Sequence, residues 1–402
     1  MNSAEMPPRY PLRWAAIAVI TLSSLLNYLD RQLLPALAPQ LREEFGLSNA
    51  DYGLILSVFS VTYAVCAPLA GWTIDRLGLS RGIVLVVGLW SLAGIGTGLT
   101  GGLAGLMILR TLLGLAQAGG VPATGKAAAQ YLPPEERAFG TAATQVGLSL
   151  GAVGAPMVAG AMAGVWGWRS AFVATGALGF LWIPLWLLTA RRVKPVGAPP
   201  VEPAARAGDL LRDSRLWGLV LATMLCMTLY SLWSNWTTVF LVEERGMAPD
   251  IANRTLAWIP PLISNAGGLC GGWLARRWMR GGASVAGARL RVITVSSAFL
   301  VATAAVPLAP GAWLATALIS ASFFWVTAMS VNLYAMPLDL FGAGRAALAT
   351  SALTGAYGAM QAVISPLVGT ALDHYGFGPV CLVGSTLPLA AAAVLRWAVL
   401  KP

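Results

Sequence analysis

The sequence predicts an all-α membrane protein of about twelve spanning helices in two similar six-helix halves, and three observations carry that expectation. Of its 402 residues, 57% are hydrophobic and only 10% charged, at a mean hydropathy of +0.71, whereas soluble domains carry about 25% charged residues. Apolar runs of the length a bilayer demands, about 20 residues, recur near 14–36, 52–73, 82–100, 103–125, 138–164, 170–190, 217–241, 253–275, 289–309, 311–336, 346–371 and 378–398. Finally, residues 71–76 (GWTIDR) return as 272–277 (GWLARR) after 201 positions, half the chain length, each copy closing the second span of its half.

The first span holds residues 27–31 (NYLDR), with apolar residues on both sides. Asp and Arg at hydrocarbon depth cost about 2.5–3.5 kcal/mol each on insertion scales, so they normally face a protein interior or a water-filled path. Ser23 or Ser24, Asn27, Asp30 and Arg31 recur at three- and four-residue steps and form a polar stripe on one helical face. The alternative is a helix end with a snorkelling Arg31, but Leu33, Leu34, Ala36 and Leu37 continue the apolar run.

The second span carries Tyr63 and ends in residues 71–81 (GWTIDRLGLSR). There Gly71 and Gly78 permit a tight turn, Asp75 is placed to cap a neighbouring helix amino end, and Arg76 and Arg81 stay on the cytoplasmic side. In the fourth span Arg110, Gly114 and Gln117 share a face, with snorkelling toward the outer end as the competing placement for Arg110. The fifth span offers Gln145 and then Gly151, Gly154, Pro156 and Gly160, a pattern of close packing or bending.

Residues 191–215 hold six basic residues and three acids around a Pro/Ala-rich stretch. The expected organisation is therefore an amino-terminal bundle over 1–190, a cytoplasmic linker over 191–216 and a carboxy-terminal bundle over 217–402. Pro366 and Gly369 echo Pro156 and Gly160 across the halves. The carboxy half has no acid or base inside its spans, and polar and aromatic residues take their place. Trp236 in the seventh span, Asn332 in the tenth, and Ser351, Thr354, Tyr357 and Gln361 in the eleventh suit a cavity wall able to hydrogen-bond hydroxyls and carbonyls, although packing is the alternative for any one of them.

The net charge of +10 reflects topology, not nucleic-acid binding. With a cytoplasmic amino terminus, 20 of the 26 Lys and Arg fall in cytoplasmic segments, and only Arg42, Arg169, Arg245 and Arg254 fall outside. The positive-inside rule then places both termini in the cytoplasm. Cys66, Cys226, Cys270 and Cys381 sit in separate apolar runs as packing residues, with no metal spacing. The lone histidine, His374, lies beside Asp373 in an outer loop, and no metal cluster, nucleophile–histidine pair or phosphate-cradling motif suggests an enzyme. No cofactor is expected.

The turn at 71–81 and its weaker copy resemble the signature loop of the major facilitator superfamily. Residues 27–31, 71–81, 110–122 (RTLLGLAQAGGVP) and 166–172 (WGWRSAF) more closely resemble the anion:cation symporter family, which includes bacterial hexuronate and galactonate transporters and animal vesicular organic-anion carriers. The amino half matches throughout, and the carboxy half matches chiefly at 260–272 and 332–341. The resemblance implies a major facilitator fold, with Asp30 serving coupling, Arg31 and Arg110 serving carboxylate binding, and Tyr63 and Gln145 at cavity positions. One departure stands out: proton-coupled relatives commonly carry Glu where this chain has Gln117, which cannot titrate, and Asp30 remains as the evident intramembrane proton carrier.

The expectation is a monomeric transporter of the bacterial inner membrane that moves a sugar acid or other carboxylate by alternating access with proton symport at Asp30. An anion exchanger, a uniporter or a drug exporter of the same fold are the alternatives.

Overall fold

The computed structural model describes residues 13–193, 195 and 210–400, and among these the chain is helical with no strand. The amino-terminal bundle comprises α1 (Arg13–Phe45), α2 (Asn49–Leu77), α3 (Leu79–Leu99), α4 (Leu103–Gln117), α5 (Gly120–Tyr131), α6 (Arg137–Trp166) and α7 (Trp168–Arg192). The carboxy-terminal bundle comprises α8 (Ser214–Glu243), α9 (Pro249–Thr255), α10 (Ile259–Arg280), α11 (Val285–Leu300), α12 (Ala312–Phe341), α13 (Ala343–Tyr375) and α14 (Phe377–Leu400). Since α4–α5 and α9–α10 are each one broken span, the described residues form twelve spans. Most of the linker expected at 191–216 (Lys194 and 196–209) lies outside the described residues, between the ends of α7 and α8.

Nine of the spans are long and apolar enough to cross a membrane by composition alone. The other three, α1, α10 and α13, interrupt their apolar residues with polar ones such as Asp30, Asn265 and Gln361. The helices also outrun the apolar stretches, as α1 continues to Phe45, because hydropathy marks only the hydrocarbon zone while the backbone stays hydrogen-bonded beyond it. The fourth span breaks at Ala118–Gly119, where a Cβ on Gly119 would meet Val86 Cγ1 at 2.7 Å, so close approach of α3 demands glycine there.

Local chemistry sets several helix ends. Ser48 and Asp51 form a capping box at the start of α2. At the start of α8, Asp213 accepts from the Arg215 N–H at 2.9 Å, and its bonds to the Arg215 side chain hold its carboxyl below the usual range. Gly78 adopts φ +77° between α2 and α3, a left-handed conformation that explains a glycine in the signature turn. The expected capping of a helix amino end by Asp75 does not form. Its carboxylate pairs at 2.8 Å with Lys126 of α5, a full cation that outbids neutral amides, and α3 begins without a side-chain cap. The repeat is visible in contacts as well as letters: Arg76 lies over the Trp72 ring at 4.3 Å, and Arg277 lies over Trp273 at 5.6 Å.

Helices in lipid associate by close contact rather than by a hydrophobic drive, which favours glycine at crossings. Thus Gly151 of α6 faces Leu29 N of α1 at 2.9 Å from an ideal Cβ, which places this stretch in helix packing. Gly160 and Gly369 make equivalent cross-bundle contacts. The former sets α6 against the backbone of α9, with Arg254 N 3.0 Å from an ideal Cβ, and the latter sets α13 against the first turn of α2, with Asn49 C at 2.7 Å.

The bundles are pinned together at the end that carries these contacts, opposite the chain termini. Arg42 of α1 pairs with Glu243 of α8. Asp373, expected in a loop, lies instead in the last turn of α13 together with His374, and its carboxylate accepts from Asn49 N and Ala50 N of α2, at 2.9 Å each. Asn253 donates to Ala36 O at 2.7 Å, and Tyr52 donates to Asn235 O at 2.9 Å. Toward the terminal end, the ion pairs Arg13–Glu136, Lys126–Asp75 and Arg289–Asp339 each stay within one bundle, and α5 packs on α1, α2, α3 and α6 of its own bundle.

Candidate functional site

At the centre of the molecule, α1, α2, α4, α8 and α13 enclose a small cavity of about 40 Å³ whose lining includes Arg31, Arg110, Tyr357 and Gln361. A second cavity of about 230 Å³ adjoins it between α1, α6, α8, α10 and α12, and the two share Tyr28, Gln32, Tyr230 and Ser234. Among the described residues, the small cavity carries two guanidinium groups and no acid.

The α1 stripe places Arg31 toward this space. Its guanidinium sits among the rings of Tyr28, Phe59 and Tyr63, 4.8–5.1 Å from each centroid, an aromatic surround suited to a cation. Arg31 Nε donates to Gln117 Oε1 at 3.1 Å, while Gln117 Nε2 donates to Asn27 O at 3.0 Å. Gln117 is only 1% exposed and sits at the end of α4, where the helix breaks. With both ends of its amide engaged it fixes the direction of Arg31, supplying one acceptor and one donor without charge. The sequence sets Gln117 on the face of Arg110 and marks it as a missing acid, and its bridge to Arg31 is visible only in the structure.

Arg110 is 3% exposed, so it does not snorkel. Its Nε and Nη2 are buried with no hydrogen-bond partner among the described residues, and such a group demands compensation. Gly114, one turn on, permits this placement: an ideal Cβ there would meet Phe59 O at 2.6 Å, so α2 and α4 lie backbone to backbone. The Tyr52 phenol and the Asp30 carboxyl lie near Arg110.

Asp30, also 3% exposed, lies behind the cavity wall instead of on it. The Thr175 hydroxyl of α7 and Arg110 are its polar neighbours, yet neither carboxyl oxygen meets a donor in hydrogen-bond geometry among the described residues. No signal in the sequence singled out Thr175, which sits in an ordinary apolar span.

The remaining expected residues divide. Tyr357 and Gln361 line the small cavity and Gln145 the larger one, while Asn27 and Tyr63 line neither: Tyr63 packs its ring against Arg31, and Asn27 offers its backbone oxygen to Gln117. Trp236 and Asn332 line neither cavity. Trp236 is buried edge-on against Tyr52 at 4.9 Å, and Asn332 donates to Gly271 O and Ala328 O at 3.1 and 2.9 Å, tying α12 to α10. A spacing that marks a helical face leaves open whether that face meets a cavity or a neighbouring helix. The signature-loop residues Gly71, Asp75, Arg76, Gly78 and Arg81 lie at the terminal end of α2 and the start of α3, away from both cavities. Gln32 and Ser234 are cavity-lining residues missed from sequence, though Gln32 adjoins the charged pair.

Three comparisons bear on this architecture. The family model for the Major Facilitator Superfamily matches residues 20–363. The hexuronate transporter of Escherichia coli (strain K12) is 30% identical over 413 aligned positions, covering 97% of this chain and 94% of its own. The galacturonate transporter of Dickeya chrysanthemi is 30% identical over 287, covering 65% of this chain and 81% of its own. A crystal structure of a bacterial homolog of the human lysosomal transporter Spinster, in an inward-facing and occupied conformation, superposes with a TM-score of 0.79 at 19% identity, over 96% of this chain and 95% of that one.

Proposed function

The chain belongs to the major facilitator superfamily, a family of multi-pass membrane transporters, and from that premise we propose that it carries a small organic anion, a sugar acid or related carboxylate, in symport with a proton. The observation that carries the reading is the convergence of Arg31 and Arg110 on one central cavity whose described lining holds no acid. The unpaired Nε and Nη2 of Arg110 are donors awaiting an acceptor, and a carboxylate supplies two oxygens in matching geometry. The hexuronate and galacturonate specificities named for the relatives agree with that chemistry.

Proton coupling is assigned to Asp30. Ionised, it attracts Arg110 away from the cavity; protonated, it frees Arg110 for the cargo, so proton and anion favour one another's binding. Asp30 is the one buried carboxylate among the described residues, which favours one proton per anion. The distribution of Lys and Arg supports cytoplasmic termini, with a bacterial inner membrane as the expected location, and the cross-bundle bonds at the opposite end then fit a state closed to the outside. The chain is expected to act as a monomer.

The test is uptake of labelled hexuronate into proteoliposomes under an inward proton gradient, with internal pH followed in parallel. Arg110→Ala should abolish uptake, since charge-assisted hydrogen bonds contribute about 1.5–3 kcal/mol each. Unchanged uptake by that variant would refute the binding role, and uptake without internal acidification would indicate exchange or uniport instead.

A further inference from the structure

We infer that the site accepts a monocarboxylate whose far end is uncharged and hydroxylated, such as a uronate or aldonate, and discriminates against acids charged at both ends. The inference rests on the organic-anion reading above and adds to it the position of the cargo's second terminus. Both guanidinium groups that reach the central space, Arg31 and Arg110, lie on the small cavity. At about 40 Å³ it has room for little more than a carboxylate head, since one water needs roughly 10–15 Å³ by the same kind of measure. The body of a cargo must therefore extend past Tyr28 and Ser234, which border both spaces, into the 230 Å³ cavity.

That larger cavity has a different chemistry. None of the described residues lining it is charged. Its polar groups, all neutral, include the amides of Gln145 and Asn265 and the hydroxyls of Ser149, Ser234, Thr237 and Ser264. Ser149 donates to Asn265 Oδ1 at 2.7 Å, and Thr237 and Ser264 donate to helix carbonyls, so these hydroxyls present lone pairs that accept from sugar hydroxyls, while an amide such as that of Gln145 both donates and accepts. A carboxylate or sulfonate delivered there would meet no counter-ion, and once the site closes, it would be a desolvated charge with neutral partners only. The asymmetry selects by the far end of the molecule: an aldarate and the aldonate of the same configuration differ only in whether that end is a carboxylate or a CH₂OH group.

The experiment uses the full chain in proteoliposomes and competes labelled D-galacturonate uptake with D-galactonate and D-galactarate at neutral pH. The expected result is competition by D-galactonate close to that of unlabelled D-galacturonate, with D-galactarate weaker by at least about tenfold, because a buried charge without a counter-ion is costly. A second arm places a cation in the neutral cavity with Ser264→Lys, which should strengthen D-galactarate competition by at least about tenfold relative to D-galacturonate through a new ion pair. Equal competition by D-galactarate in the unsubstituted protein overturns this inference and leaves the organic-anion reading standing. So does a Ser264→Lys protein that elutes as a folded species and gains nothing for D-galactarate. If none of the three acids is transported or competes, the organic-anion reading fails and takes this inference with it.

Discussion

Asp373 joins the two bundles through a helix end, and neutralising it should loosen the closed side of the transporter. Its carboxylate accepts from the backbone N–H groups of Asn49 and Ala50, both at 2.9 Å, at the positive amino end of α2. Asp373→Asn keeps the shape, removes the charge and leaves one oxygen to serve two donors. Loss of an N-cap costs about 1 kcal/mol and loss of the charge–dipole attraction about 0.3–1 kcal/mol. Together these give about 1–2 kcal/mol, a shift of roughly five- to thirtyfold in the equilibrium between states that do and do not hold this contact. Spin labels at Glu43→Cys and Tyr375→Cys in a cysteine-free background report the separation of α1 and α13 at that end by pulsed electron resonance. Asp373→Asn should raise the population of the longer distance. The control is Asp51→Asn, which breaks the capping box of the same helix within its own bundle and should leave the distribution unchanged. If both variants shift it equally, the effect comes from fraying of α2, and the latch argument is wrong.

Gly53→Ala should act in the same direction by sterics alone, because a Cβ there would lie 2.8 Å from Pro366 Cα of α13; the same label pair reads it. Gln117→Glu would set a carboxylate 3.1 Å from Arg31 Nε and remove the donor to Asn27 O, so apparent affinity for hexuronate should fall at neutral pH and recover on acidification as the new Glu takes up a proton. A pH-independent affinity in that variant would argue against Arg31 as a cargo ligand. With one proton carried per monoanion, uptake should be electroneutral: a valinomycin-imposed potassium potential should leave its rate unchanged. Asp30→Asn should abolish internal acidification while preserving anion exchange, which depends on the guanidinium groups alone.

The spans, the pseudo-repeat and the charged trio were legible in the chain because each rests on an energy too large to be accidental. Asp30 and Arg110 at hydrocarbon depth need a protein interior, and both are buried in one. Trp72 and Arg76 return as Trp273 and Arg277 because two halves share one packing plan. The interior glycines of α6 read as packing positions and are found in packing. The cavity wall was only partly legible: Tyr357, Gln361 and Gln145 reach it, whereas Trp236 and Asn332, equally polar and equally spaced, are spent on helix contacts.

What the sequence determined by itself was a membrane-embedded bundle with two cations and one carboxyl too costly to leave in lipid. Only the tertiary structure decided which polar residues meet, that Gln117 steers Arg31, that Asp30 stands behind the wall, and that Asp373 caps a helix of the opposite bundle. The reason is the solvent. In water an apolar stripe tells a helix which side faces in, but lipid is as apolar as the protein core, so hydrophobicity leaves the rotation of each helix undefined. That rotation is set by close contacts between helices far apart in the chain, and it alone determines which side chains look into the central space.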